Sequence, residues 1–283
     1  MKTQNSTHIE RMNKVIHTIE NSLDLEITLA ELAAIAYYSE FHFHRLFRAY
    51  VGESVYAFRK RLLLERAVKY LQYSKKSITD IALDSGYDNS SSFNKAFKSH
   101  FKCTPSIARR QMIAFKKFHI PKLEENKKMK AEIVNLKDIN VIAARGVGSY
   151  DEIAAEAWGR IMKFAYGNKH MHKSVRRFGL SHDDPNVTDP DKIRYDACLD
   201  IDVDISAADN LTTLTIAGGK YAKFMHIGSY DNLDQTYAYI FNQWLPQSGY
   251  ELRADPCFDL YLNKDPRRTK PENLKTQVHI PLV

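Results

Sequence analysis

The predicted helix that follows Ser39 carries, on one face, four side chains that could contact a polyanion. The apolar stripe of this segment contains Phe43, Leu46 and Phe47. The opposite face, at spacings i, i+3, i+4 and i+7, carries Phe41, His44, Arg45 and Arg48. A basic helical face of this kind could enter the major groove of double-stranded DNA.

A second face of the same kind is predicted about 50 residues later. Phe93, Ala96 and Phe97 are its apolar stripe, and the opposite face carries Ser91, Asn94, Lys95 and Lys98. This second face is also polar and basic, so both segments are candidates for the same kind of contact.

The elements that must position these faces form a repeat. Residues 29–38 and 78–87 align at an offset of 49, and each predicts a short helix, a tight turn and then one of the two amphipathic helices. The second turn is one residue longer. Thr28 and Thr79 lie where N-caps or first-turn residues belong, and Ser39 and Asn89 can cap the second helices. The pattern predicts two helix-turn-helix units.

Residues 55–73 are predicted to form one long helix between the two units. A stiff connector sets the separation of the two amphipathic helices. If they occupy successive major grooves, roughly 34 Å apart, one chain covers about two turns of DNA without dimerising.

The charge of the chain is concentrated in its first half. Residues 1–128 hold 22 Lys and Arg against 13 Asp and Glu, a net charge of +9, whereas residues 129–283 hold 19 against 21, a net charge of −2. A polyanion partner explains this asymmetry through phosphate contacts and counterion release, and a merely solvated basic surface remains the alternative.

The sequence of residues 8–113 resembles the AraC/XylS type of DNA-binding domain. The resemblance is carried by AYYSEFHFHRLFRAYVGES and IALDSGYDNSSSFNKAFKSHFKCTPSIARR. It implies groove contacts from Phe41, His44 and Arg45, with Arg45 favoured because a guanidinium can bond guanine O6 and N7 together. From the second helix it implies contacts by Ser90, Ser91, Ser92 and Lys95. Short serines favour phosphate positioning over base discrimination there.

The histidines and cysteines of the chain do not predict a metal site. His42 and His44 point in different directions on a helix, and Cys103, Cys198 and Cys257 form no closely spaced pair. We expect no metal and no cofactor. The polar amino terminus and the absence of an 18-residue apolar run predict a cytoplasmic protein without a membrane partner.

Residues 115–128 are charged, contain Pro121 and are predicted to be a linker between a domain of residues 1–114 and a domain of residues 129–283. Beyond the linker, the segment Gly148–Ile153 recurs as Gly228–Leu233. Runs rich in β-forming residues predict strands at residues 141–147, 195–205, 221–227 and 278–282, and helices are predicted at residues 151–166 and 233–245. The expected fold is therefore multidomain: an all-α double helix-turn-helix domain, then an α+β domain of two strand-helix-strand-strand repeats.

Two such repeats would pair about a pseudo-twofold axis and leave a groove that aromatic side chains could line. The candidate ligand-binding residues include seven aromatic side chains, namely Tyr150, Trp158, Phe178, Tyr195, Tyr230, Trp244 and Tyr261. Ordinary core packing is the competing interpretation for each of them.

This second half resembles a GyrI-like effector-binding domain. The matching segments are RYDACLDIDVD, GKYAKFMHIGSYDNL, YIFNQWLPQSGYELRADPCFDLYLNKDP and VHIPLV. The resemblance implies a buried pocket carboxylate, usually Glu, where this chain has Asp259. A buried acid is costly unless it is paired, so a lipophilic cation or a hydrogen-bond donor is the implied effector.

The leading hypothesis is a DNA-binding transcription regulator that responds to a small molecule and is not an enzyme. The resemblance favours activation over repression and implies RNA polymerase as a further partner. Two alternatives stay open: the second domain is a small hydrolase, with Asp259 and Tyr195 or Tyr230 as acid-base groups, or it docks another protein. The absence of GxSxG and HExxH motifs argues weakly against hydrolysis.

Overall fold

The computed structural model describes residues 4–118, 129–203 and 210–283. The chain divides into two compact units, residues 1–115 and 116–283. Most of the predicted linker, residues 119–128, lies outside the described residues, while residues 115–118 are the end of a helix that begins at Pro105.

The first unit is built from seven helices within the described residues. They are α1 (Gln4–Asn21), α2 (Leu29–Ile35), α3 (Glu40–Val51), α4 (Val55–Tyr73), α5 (Ile78–Asp84), α6 (Ser90–Phe101) and α7 (Pro105–Phe118). The predicted long helix is α4, and the turn between α5 and α6 is one residue longer than that between α2 and α3, as the sequence indicates. Helices α1 and α7 were not predicted.

Side-chain caps define where the four short helices begin. Thr28 caps α2 in a capping box with Glu31, and Ser39 caps α3. Asn89 caps α6 by accepting a hydrogen bond from the Ser92 amide. The cap of α5 is Ser77, and Thr79 lies in its first turn. These contacts satisfy amide groups that have no partner inside the helix.

Each of the two helix-turn-helix turns contains one residue in the left-handed backbone conformation. Gly86 has φ +76° after α5, and the equivalent Tyr37 after α2 has φ +57°. In both units the next amide, of Tyr38 or Tyr87, bonds back to a helix carbonyl at 3.0 Å. Phe43, Phe47, Phe93 and Phe97 are completely buried. The turn and these phenylalanines hold α3 and α6 at a set angle to the helix before them.

Gly86→Ala is expected to destabilise the first unit by about 1 kcal/mol, because only glycine adopts this left-handed conformation without a steric cost. An added Cβ would meet no atom within 4 Å, so backbone strain is the whole effect. Calorimetry of the intact chain measures the change.

Gly159→Ala is the matched control for this change. Gly159 lies exposed within a helix of the second unit, and an added Cβ there also meets nothing within 4 Å. The same substitution should stabilise that unit by about 1 kcal/mol through helix propensity. Equal signs for the two variants would contradict the strain argument.

The second unit contains one eight-stranded antiparallel sheet. Its strands are β1 (Glu132–Leu136), β2 (Ile139–Val147), β3 (Arg177–Ser181), β4 (Arg194–Leu199), β5 (Leu211–Ile216), β6 (Gly219–Ile227), β7 (Cys257–Tyr261) and β8 (Lys275–Pro281). The order in the sheet is β1-β6-β8-β7-β3-β4-β2-β5. Helix α8 (Tyr150–Gly167) follows β2, and α9 (Leu233–Tyr239) follows β6.

The two predicted repeats are confirmed, each with one strand more than expected. The strand-helix-strand-strand units are β2-α8-β3-β4 and β6-α9-β7-β8, and the unpredicted β1 and β5 precede them. Each added strand pairs with the other repeat, β1 with β6 and β5 with β2. Strands β1 and β2 lie toward opposite ends of the strand order, yet only two residues separate them in the chain. The sheet must therefore curl to bring these two strands close together.

Some predicted boundaries were wrong. The strand predicted over residues 195–205 ends at Leu199, and the last strand begins at Lys275 rather than Val278. The second helix, predicted over residues 233–245, is interrupted by a π-helical turn at Ile240–Trp244 before α10 (Leu245–Ser248). Apolar alternation does not mark these ends, since hydrogen bonding decides them. In the described part of the chain, no helix is long and apolar enough to cross a bilayer.

The sheet has a different core on each face. The face toward α8 buries Ile142, Ile161 and Tyr195, among others. The opposite face buries Phe178, Tyr221 and Phe258. Successive side chains of a strand point to opposite faces of the sheet. The position of a residue along its strand therefore decides whether its side chain can share a site with the helices.

Candidate DNA-reading surface and effector site

The outer face of α3 carries the four side chains that the sequence assigned to it. Phe41, His44, Arg45 and Arg48 are all exposed. The Arg45 guanidinium carbon lies 5.7 Å from the centre of the Phe41 ring, an arrangement that orients the guanidinium without burying it. The Phe41 ring is 68% exposed, so it is available to a partner.

Fewer of the side chains predicted on the outer face of α6 than on that of α3 are available for DNA contact. Ser91, Lys95 and Lys98 are exposed, whereas Ser90 is half-buried. The Ser92 hydroxyl donates to the Asn89 carbonyl at 3.0 Å, so it is part of the helix cap. Of the side chains predicted on this helix, Ser91, Lys95 and Lys98 are exposed and take no part in the cap.

Asp259 lies on β7, which with β3 forms the middle of the strand order, and the symmetry of that order places the pseudo-twofold axis between these two strands. In the register of β3 and β7 it faces Gly179, its counterpart in the first repeat. Asp259 is 4% exposed, and the Tyr237 hydroxyl donates to its Oδ1 at 3.0 Å. Within the described part of the chain, no basic side chain forms an ion pair with this carboxylate. The axis therefore holds a buried acid on one strand and a glycine on the other.

Gly179 makes room for two tyrosine hydroxyls. The hydroxyls of Tyr195 and Tyr261 lie 3.1 Å apart, and Trp158 Nε1 donates to Tyr195 at 3.0 Å. A Cβ added at Gly179 would overlap the Tyr195 hydroxyl and lie 2.7 Å from that of Tyr261. The glycine is thus required by the close approach of these side chains.

Aromatic rings continue outward from this centre in edge-to-face contacts. The Tyr261 ring centre lies 5.5 Å from that of Trp158 and 5.1 Å from that of Tyr230. The Tyr150 ring centre lies 6.2 Å from that of Tyr195. Together these residues make up the aromatic cluster: Tyr150, Trp158, Tyr195, Tyr230, Tyr237 and Tyr261, with Asp259 at its base.

Burial controls the charge states within the aromatic cluster. It raises the pKa of Asp259 to about 7, against the opposing effect of the Tyr237 hydrogen bond. Burial also raises the pKa of Tyr195, Tyr237 and Tyr261 well above the ordinary tyrosine range. The hydroxyls stay neutral at physiological pH, so Asp259 is the group of this set whose charge changes near neutrality.

Two of the predicted ligand-binding residues lie away from the aromatic cluster. Phe178 points to the opposite face of the sheet, where its ring packs 5.9 Å from Phe258. It neighbours Gly179 in sequence and therefore faces the other way. Trp244 packs against Phe224 at 5.0 Å and stacks on Tyr250. The other predicted residues come together around Asp259.

Tyr237 and Gly179 belong to the site but were not predicted from the sequence. Tyr237 follows Tyr230 by seven residues, which is two helical turns, so the spacing could have indicated a shared face. The offset of 80 between the repeats could have paired Gly179 with Asp259.

Residues 129–283 match the GyrI-like small molecule binding domain, which covers more than half of the chain. The chain belongs to this family. Residues 32–111 match a helix-turn-helix domain, the part that holds α3 and α6. The resemblances inferred from the sequence to both domain types are confirmed.

The relatives of the chain include named regulators. It is 22% identical to the transcriptional regulator Rob of Salmonella typhimurium over 93% of this chain and 95% of that protein. It is 34% identical to the transposon Tn10 TetD protein of Escherichia coli over 38% of this chain and 77% of that one. The crystal structure of the EcmrR C-terminal domain is similar with a TM-score of 0.47 and 17% identity, over 56% of this chain and 99% of that one. This GyrI-like protein is a transcription regulator with an AraC-type DNA-binding domain and an effector-binding domain.

Proposed function

We propose that α3 and α6 bind two segments of double-stranded DNA unequally and that the aromatic cluster binds a lipophilic cation. The observation that supports the proposed cation site is Asp259. It is a buried carboxylate that has no basic partner among the described residues and is surrounded by aromatic rings. The regulator is proposed to activate transcription, with RNA polymerase as its further partner.

The chemistry of the aromatic cluster selects for positive charge. An ionised carboxylate in an apolar site is costly, and a cation beside it removes that cost. Tyrosine and tryptophan faces attract cations, with an attraction of about 2 kcal/mol when the cation is desolvated. A cation would also lower the pKa of Asp259 and displace its proton, so its affinity should rise as the pH increases through about 7.

The two DNA-binding helices are proposed to have different roles. Arg45, supported by Phe41, reads a base edge from α3, with His44 and Arg48 beside it. Lys95, Lys98 and Ser91 contact phosphates from α6, while Ser90 and Ser92 contribute to the start of that helix.

The two tryptophans of the chain allow a direct test of the effector site. Trp158 belongs to the aromatic cluster and Trp244 does not. In a Trp244→Phe variant the fluorescence comes from Trp158, and titration with quaternary ammonium and phosphonium lipophiles should change it saturably. Neutral lipophiles of the same shape should bind at least tenfold more weakly.

Two variants complete this test. Trp158→Phe leaves Trp244 as the reporter and should respond weakly to the same compounds. Gly179→Ala should reduce affinity at least tenfold, because its Cβ displaces the Tyr195 and Tyr261 hydroxyls. Equal binding of cationic and neutral compounds, or a response from Trp244 alone, would contradict the proposed site.

A further inference from the structure

The connections β3–β4 and β7–β8 occupy equivalent places in the two repeats and are built alike. They span residues 182–193 and 262–274. Each begins near an Asp-Pro pair and contains a later 3₁₀ turn that starts with proline. Each also ends on a carbonyl, of Ile193 or Leu274, that accepts a hydrogen bond from the glycine before the repeat's helix, at 2.9 and 3.0 Å.

The two connections carry opposite charge. Residues 182–193 contain four Asp and one Lys, whereas residues 262–274 contain four Lys and Arg against one Asp and one Glu. The acidic charge of residues 182–193 is partly structural, because Asp183 pairs with Arg194 and Asp184 accepts a hydrogen bond from the Asn186 amide. Residues 262–274 are called the basic loop below.

The cations of the basic loop are exposed and weakly neutralised. The side chains of Arg267 and Arg268 are 79% and 89% exposed, and both lie near the same carboxylate, that of Asp265, at 3.4 and 3.6 Å. Lys264 and Lys270 are exposed as well. One acid shared between two guanidinium groups leaves the surface positive.

The backbone of the basic loop is ordered by hydrogen bonds. The amides of Arg268 and Thr269 bond to Asp265 and Pro266 carbonyls, and Asn273 bonds to Lys270. From β3, Arg177 donates to the Asn263 and Lys264 carbonyls. An ordered loop presents its cations with a smaller loss of backbone entropy on binding than a floppy one.

We propose that the basic loop binds the phosphate backbone of DNA beside the sequence contacted by the helix-turn-helix units. Guanidinium groups pair well with phosphate oxygens. The loop lies on the same chain as the DNA-binding helices, so a weak contact gains from a high effective concentration. The effector domain thereby contributes sequence-independent affinity.

The test compares the full chain with an Arg267→Gln, Arg268→Gln, Lys270→Gln variant. The probe is a duplex recovered by selection from random sequence, prepared with long flanks and with the flanks trimmed. Loss of two or three phosphate contacts should lower the slope of log affinity against log salt by about 2 to 3 on the long duplex. On the trimmed duplex the variant should match the unsubstituted chain.

The control removes the same charge from another exposed part of the second unit, with Lys163→Gln, Lys169→Gln and Lys173→Gln. These changes should leave the salt dependence of binding to the long duplex unaltered. An unchanged slope in the basic-loop variant would overturn the proposal, and so would an equal loss in the control. Impaired binding of RNA polymerase with unchanged DNA binding would also overturn it and indicate an acidic protein surface instead.

Discussion

Asp259→Asn is expected to make the second unit more stable than the unsubstituted protein at pH 8 and nearly equal to it at pH 4. In the unfolded chain the carboxyl ionises near its ordinary pKa of 3.8, whereas in the folded protein burial raises the pKa to about 7. Between these values the folded state binds more protons than the unfolded state. The free energy of unfolding therefore falls as the pH rises from about 4 to about 7.

The size of this effect follows from the difference between the two pKa values. It corresponds to a loss on the order of 4 kcal/mol above pH 7, and asparagine removes the loss because it has no proton to release. Asparagine can still accept the hydrogen bond that Tyr237 donates to Oδ1.

Urea unfolding at pH 4, 6 and 8, followed by tryptophan fluorescence, measures the change. Both tryptophans lie in the second unit, so the signal reports its unfolding. The control Asp191→Asn changes an exposed aspartate of the same unit and should shift stability equally at all three pH values. A pH-independent difference between Asp259→Asn and the unsubstituted protein would mean that Asp259 is not held protonated.

Replacing Arg45 and Lys95 together with alanine is expected to abolish measurable binding to a selected duplex at physiological salt. The Arg45 change removes a proposed base contact, which contributes about 1–3 kcal/mol of discrimination. The Lys95 change removes a phosphate contact, so by itself it should weaken binding to all sequences alike and reduce the salt slope by about 1.

The single variants separate these two roles. Arg45→Ala should lower affinity for the selected duplex about 10- to 100-fold, with a smaller loss on unrelated DNA. Because both side chains are exposed, the thermal stability of the variants should stay near that of the unsubstituted chain. Lys163→Ala serves as the charge control. Unchanged binding by the double variant would refute the assignment of the DNA-reading surface.

Much of the first unit could be predicted from local sequence signals. The apolar spacing of Phe43 and Phe47 defines the buried face of α3, and Ser39 defines its start. The repeat at an offset of 49 showed that the arrangement occurs twice. Such features depend on contacts between residues close in the chain, so periodicity and capping report them directly.

Local signals were insufficient where distant strands meet. The short strands β1 and β5 were missed because each is ordered by pairing with the other repeat. Phe178 was grouped with the ligand-binding aromatics, yet a shift of one residue along a strand reverses the face. Tyr237 of α9 belongs to the cluster through its hydrogen bond to Asp259 of β7, a contact between residues 22 positions apart in the chain.

The sequence by itself determined the two kinds of domain and the double helix-turn-helix unit with its outward-facing residues, and its family resemblance singled out Asp259 as a candidate pocket acid. Only the tertiary structure decided that Asp259 lies opposite Gly179 on the pseudo-twofold axis, beneath the hydroxyls of Tyr195 and Tyr261. The physical reason is that helix faces follow from spacing along one segment. Burial, pKa and the meeting of side chains about 80 residues apart depend instead on how the strands pair and how the sheet curls.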